Sequence, residues 1–176
     1  MARNVEIKAR IESVDSQLRL VRAIADGGPT EIFQDDTFFF CPNGRLKLRA
    51  FSETSGELIF YQRSDSAGPK ESFYVISLTA SPDTLREALS LAYGQCGRVR
   101  KHRTLFMIGR TRIHLDKVEE LGHFLELELV LTEGESTEAG IAAAHELIAK
   151  LGISPQQLIE GAYVDLLGGK TPPAVS

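Results

Sequence analysis

Alternation is the feature that most narrows the folds open to this chain. Val5, Ile7, Ala9 and Ile11 take every second position, and Asn4, Glu6, Lys8, Arg10 and Glu12 take the positions between them. Successive side chains of a strand point to opposite faces, so this segment reads as a strand with one apolar and one densely charged face. Charges spaced two apart recur at Arg45, Lys47 and Arg49, at Lys101 and Arg103, at Arg112, His114 and Asp116, and at Glu126 and Glu128. Each group is therefore presented on a single face of its own strand.

Turn and cap signals divide the rest. Pro42-Asn43-Gly44 separates β-like residues 30–41 from a partner strand over 45–51, and Ser55-Gly56 introduces another over 58–63. Residues 64–70, with Gly68-Pro69, read as polar loop, and 72–79 as a further strand. Strand-like sequence resumes over 98–108, turns at Gly109, returns through Val118 and continues over 124–131. Helical spacing marks 15–26, stopped by Gly27-Gly28-Pro29. A second helix opens at Ser81-Pro82-Asp83, turns Leu85, Leu89 and Ala92 inward and ends near Gly94. A third spans 137–151, and a short helical piece follows over 155–165. Strands joined mainly by hairpins, with helices inserted between groups of them, predict an antiparallel α+β protein, because the regular βα alternation of a parallel sheet is missing.

Composition bounds the function. The 176 residues hold 20 Lys and Arg against 24 Asp and Glu, a net charge of −4. An acidic chain of pI about 5.6 lacks the broad basic surface that general nucleic-acid binding rests on, yet a local basic cleft can still take a small anion. Cys41 and Cys96 form no C-x-x-C pair, which speaks against a disulfide scaffold or a cysteine-rich zinc site and makes a reducing cytoplasm the expected compartment. The segment from Met1 to Lys8 has no apolar core of a signal peptide, and no stretch approaches the roughly 20 apolar residues of a membrane helix, so no membrane partner is expected. The length argues for one domain over 1–167, with a frayed tail over 168–176.

Two arrangements satisfy the charged faces. In an ordinary half-buried sheet they are simply solvated. In a closed barrel with helices outside, the apolar faces lie under the helices and the charges turn inward. Such a lumen must be wet and built for a charged ligand, since unpaired buried charge is too costly to keep. Arg and Lys match phosphate oxygens, and Glu and Asp offer hard oxygen ligands to Mg²⁺ or Mn²⁺.

The residues also carry a resemblance. The segment Asn4-Val5-Glu6-Ile7-Lys8 resembles the N-terminal E-x-E-x-K signature of the CYTH superfamily, the triphosphate tunnel metalloenzymes. Leu46-Lys47-Leu48-Arg49, Tyr61-Gln62-Arg63, Arg100-Lys101-His102-Arg103, Ile113-His114-Leu115-Asp116 and Phe124-Leu125-Glu126-Leu127-Glu128 follow in the expected order. The ending Ala162-Tyr163-Val164-Asp165-Leu166-Leu167 and the loop with Gly68-Pro69-Lys70 look like the class IV adenylyl cyclase branch. The resemblance implies a closed, eight-stranded antiparallel tunnel that binds a nucleoside or other triphosphate with Mg²⁺ or Mn²⁺, and it suggests a homodimer. It implies catalytic roles for Lys8, Lys101, Arg103 and Asp116, with Asp116 holding metal or orienting a cationic neighbour. Substrate contacts are implied for Lys47, Arg49, Arg63, Lys70 and Arg112, and metal ligation for Glu6, Glu126 and Glu128. Two departures stand out: Asn4 replaces the first glutamate of the signature, and Arg63 stands where lysine is frequent.

Other motifs carry less. Gly169-Lys170-Thr171 is no phosphate loop, because the glycine required five residues earlier is Val164. The four histidines share no metal-ligand spacing, and neither cysteine has a local base. The expected reaction is cyclisation of ATP to cyclic AMP and pyrophosphate. Hydrolysis of inorganic or thiamine triphosphate, or triphosphate binding with weak catalysis, are the alternatives.

Overall fold

The computed structural model describes residues 3–63 and 72–168. The polar loop expected over 64–70, including Lys70, and the expected tail from 169 onward lie outside them. In chain order the elements are β1 (Asn4–Arg10), α1 (Val14–Ile24), β2 (Gly27–Phe39), β3 (Arg45–Ser52), β4 (Ser55–Arg63), β5 (Ser72–Thr79), α2 (Pro82–Tyr93), β6 (Gln95–Ile108), β7 (Thr111–Val118), β8 (Gly122–Val130), α3 (Thr137–Lys150), β9 (Leu158–Ile159) and α4 (Tyr163–Leu166).

The strands form one antiparallel sheet in the order β5-β4-β3-β2-β6-β7-β8-β1-β9. The antiparallel tunnel expected from the sequence is present, but its ladder is not closed. The strand beyond β1 is the two-residue β9, which pairs only Lys8 with Ile159 and Ala9 with Leu158, and β5 forms the other edge. Curvature nevertheless brings the two ends together, since Asn4 of β1 and Tyr74 of β5 line the same cavity. Residues 158–159 read as helical in the sequence because Pro155 starts a 3₁₀ turn there. Backbone pairing to β1 then extends them.

The alternation decides which face is which. Val5, Ile7 and Ala9 of β1, Ile113 and Leu115 of β7, and Leu125 and Leu127 of β8 all point outward and are buried together under α1 and α3. Burying a side chain of this size contributes about 1.5–3 kcal/mol, so this outer layer is the main core of the protein. The helices start where the sequence supplies caps. The Ser13 hydroxyl accepts from the Ser16 amide at 3.0 Å, and Ser136 accepts from Ala139 at 3.2 Å. Ser81 makes no side-chain cap, and buried Pro82 sets the first turn of α2 instead. Over β2, β3 and β4, α2 covers fully buried Leu48, but Leu85 and Leu89 are only half-buried and Ala92 is exposed. The glycines expected to stop α1 belong to β2. A Cβ on Gly28, whose φ is +96°, would sit 2.5 Å from the Leu105 carbonyl oxygen, so glycine is what lets this strand approach β6.

Candidate active site

The inward faces enclose a cavity of about 320 Å³. Among the described residues six basic side chains line it, Lys8, Lys47, Arg49, Lys101, Arg103 and Arg112, against four carboxylates, Glu6, Asp36, Glu126 and Glu128. The expected site residues from β1, β3, β6, β7 and β8 therefore converge, with three qualifications. Asp116 stands behind Arg103 and does not line the cavity. Arg63 lies at the end of β4 with its side chain outside the described part, and Lys70 is outside it altogether.

Two arginine forks anchor the floor. Arg103 grips Asp116 through Nε and Nη2, both at 2.7 Å, and Asp116 is fully buried. Arg49 grips Asp36 at 2.8 and 2.7 Å, and Lys47 reaches the same carboxylate at 3.3 Å. Paired carboxylate geometry of this kind is specific to arginine. Burial works against the charge on both carboxylates. The adjacent cations outweigh it, Lys47 and Arg49 at Asp36 and Arg103 at Asp116, and hold both below the usual range. Of the two roles expected for Asp116, these contacts match the orienting of a cationic neighbour. Asp36 was not singled out in the sequence. The Asp35-Asp36 doublet inside a strand was the available signal, because one of two consecutive residues must face inward. Asp35 faces outward to Arg98 and Arg100.

The lysines are less compensated than the arginines. Burial, reinforced by Arg103, pushes Lys101 down to about 7, and burial with Arg49 pushes Lys47 down to about 8. Lys8 lies 3.4 Å from Glu126 and donates to the Gly161 carbonyl at 3.3 Å. Like-charged groups crowded in a poorly solvated cavity favour a bound anion, which relieves their repulsion.

The acidic wall is on β1 and β8. Glu6 stands opposite Glu128 in the ladder, and Lys8 opposite Glu126. Glu126 lies among Lys8, Arg103 at 3.7 Å and His114 at 3.5 Å. Against its burial, these neighbours keep it well below the usual range. Glu128 accepts from the Asn4 amide at 2.6 Å and from Arg112 at 3.2 Å. No three described His, Cys, Asp or Glu side chains are gathered closely enough to enclose a metal ion by themselves. The donors nevertheless suit Mg²⁺ or Mn²⁺ held by one or two carboxylates, with phosphate oxygens and water completing the shell. His114, expected to be an ordinary polar residue, is buried at the cavity wall with Nδ1 lacking a well-formed hydrogen bond.

The fold and the site together define a tunnel with a cationic floor and an acidic flank. The chain belongs to the CYTH domain family, whose model matches residues 2–163. No curated protein matches it. Among solved structures, the PH1012 protein from Pyrococcus horikoshii superposes with a TM-score of 0.81 at 21% identity, over 93% of this chain and 98% of that one. A candidate adenylate cyclase from Vibrio parahaemolyticus gives 0.72 at 21% identity, over 94% and 98%. The candidate adenylyl cyclase HpAC1 from Hippeastrum, described as having a dominant triphosphatase activity, gives 0.69 at 15% identity, over 99% of both chains. At such identities these likenesses concern the fold. No helix among the described residues is long and apolar enough to cross a membrane.

Proposed function

We propose that the protein is a metal-dependent enzyme acting on a nucleoside triphosphate, and that it cyclises ATP to cyclic AMP with release of pyrophosphate. One observation carries this reading. The cationic floor adjoins a wall of Ile59, Tyr61, Tyr74 and Ile76 from β4 and β5, which suits a planar organic group attached to the phosphates. Inorganic tripolyphosphate would leave that wall unused.

In this reading Lys47, Arg49, Lys101 and Arg103 neutralise the phosphate chain, with Arg112 beside them, and Arg63 and Lys70 are the further substrate contacts expected from the sequence. Glu6 and Glu128, aided by Glu126, would hold Mg²⁺ or Mn²⁺, which when bound would withdraw charge from the phosphate oxygens. The ribose 3′-oxygen bonds to the α-phosphorus as the bond to the bridging oxygen breaks, and pyrophosphate leaves against the cations. The hydroxyl proton leaves with the pyrophosphate, so ATP gives cyclic AMP and protonated pyrophosphate, and Lys101 stays charged against the leaving group. Asp116 acts on this set from behind by fixing Arg103.

A second reading, hydrolysis at the same floor, is favoured by HpAC1, a similarly folded protein with a described triphosphatase activity. Incubation with ATP, thiamine triphosphate and tripolyphosphate plus Mg²⁺ or Mn²⁺ separates the two. Cyclic AMP with pyrophosphate and little orthophosphate supports cyclisation. Orthophosphate without a cyclic nucleotide replaces it with hydrolysis.

A further inference from the structure

The segment after β9 lines the cavity through Ala162, Tyr163 and Val164 and is held to the sheet at several points. The Gly161 carbonyl accepts from Lys8 at 3.3 Å, and Asp165 pairs with Arg45 of β3 at 2.9 Å. Val164 packs so tightly on β6 that a Cβ on Gly97 would lie 2.4 Å from its Cγ2. Between these anchors stands Tyr163, 5% exposed, with its hydroxyl donating to Asp116 Oδ2 at 2.8 Å. The Lys8 ammonium lies 4.1 Å from the centre of its ring and the Lys101 ammonium 5.0 Å from it. Phe124 braces the ring from the side, with centroids 4.9 Å apart.

We propose that Tyr163 is a positioning residue for triphosphate binding: its ring is the surface on which the Lys8 and Lys101 ammonium groups rest, and its hydroxyl ties that surface to Asp116, the carboxylate that holds Arg103. The proposal rests on reading the cavity as a triphosphate site. Two ammonium groups on one floor repel each other, and each needs a partner that leaves its other side open to a ligand. Lys8 already meets Glu126 at 3.4 Å, and a further carboxylate would neutralise the lysines and compete with phosphate for them. The negative face of an aromatic ring attracts the cation without cancelling its charge, and inside a cavity the attraction is at the strong end of its range. One side chain thus sets three cations, Lys8 and Lys101 through the ring and Arg103 through Asp116.

The test uses the full chain and calorimetric binding of inorganic tripolyphosphate, with denaturant unfolding alongside. Tyr163→Phe keeps the ring and loses one hydrogen bond, so the dissociation constant is expected to rise no more than about threefold. Tyr163→Leu loses the ring, and a rise of about tenfold or more is expected, with recovery in the Phe variant. Should the Leu variant fail to fold, a perfluorinated phenylalanine at position 163 keeps the shape and reverses the charge of the ring face. It should bind as weakly as expected for Leu. A folded Leu or perfluorinated variant that binds tripolyphosphate like the wild type overturns the proposal and leaves the site intact. A wild-type protein that binds neither tripolyphosphate nor ATP overturns the reading of the cavity and the proposal with it.

Discussion

The half of the sheet made by β1, β7 and β8 and the half made by β3, β4 and β5 follow the same alternation and are covered differently. In the first, Val5, Ile113, Leu115 and Leu127 have no exposure, because α1 and α3 lie over them. In the second, α2 buries Leu48 completely, while Val75 remains 54% exposed on β5. The fully covered half holds Asp116, Glu126 and Glu128, the groups that need fixed geometry and poor solvation to act on cations. The loosely covered half presents Tyr61, Tyr74 and Ile76 to the same cavity. The expectation is that the closely covered half is the rigid one and the loosely covered half the adaptable one.

The largest expected effect comes from cutting the anchor of each half. Asp116→Asn leaves Arg103 buried without its counter-charge. It should cost about 3–5 kcal/mol in denaturant unfolding, the range for breaking a buried pair from one side. Asp36→Asn should cost less, because Arg49 keeps 15% side-chain exposure against 8% for Arg103, and water replaces part of the lost contact. Equal losses would mean that the two halves are equally rigid.

Next in size is Lys101→Ala. Losing one charge-assisted contact of about 1.5–3 kcal/mol should weaken ATP binding roughly 10- to 100-fold. Stability of the unliganded protein should hold or rise, because a crowded cation is removed. The same lysine gives opposite pH trends. Its folded value of about 7 lies below the ordinary 10.5, so between these values the unfolded chain binds the extra proton and stability from this group rises with pH. Binding needs the charged form, so triphosphate affinity should fall as pH passes through 7. Calorimetry and unfolding at pH 6, 7.5 and 9 check both signs, and parallel trends would remove Lys101 from the floor.

Much of this arrangement was legible in the sequence, and the unread parts share a cause. The charged faces of β1, β3, β7 and β8 could be read because a strand repeats every two residues, whatever the sheet does around it. Direction, inward or outward, was not local information, and only the order of the motifs decided it. The open ladder was missed because a tunnel motif set does not encode whether Leu158 and Ile159 pair for two residues or for eight. Asp36 was passed over, and Tyr163, quoted within the ending 162–167, was given no role, for a different reason. Their partners, Arg49 and Asp116, stand 13 and 47 positions away, and only the fold brings them together.

Smaller changes probe the acidic flank. Glu128→Gln should weaken Mn²⁺ binding in calorimetry by roughly tenfold, about 1.4 kcal/mol. Asn4→Glu should tighten it, since a further carboxylate then faces Glu128 where an amide now donates at 2.6 Å. Without metal the same variant should be less stable, because another negative charge joins Glu6 and Glu128 with Arg112 to offset part of it. Unchanged metal affinity in both variants would move the cation away from β1 and β8.

The smallest expected change in stability belongs to the open half and is the most informative about substrate choice. Tyr74 is 45% exposed on the edge strand β5, facing the cavity beside its ladder partner Tyr61. Tyr74→Ala removes little buried surface, so unfolding should shift by no more than about 0.5 kcal/mol. Its effect should appear as a difference between ligands. A base stacked on the ring loses that contact, worth about 1–3 kcal/mol for aromatic–base stacking and less at a half-exposed position, so affinity for ATP should fall severalfold. Tripolyphosphate has nothing to place there and should bind as before. A loss shared equally by both ligands would show that β5 shapes the phosphate floor, and the division of the cavity into a fixed and an adaptable half would fail at that strand.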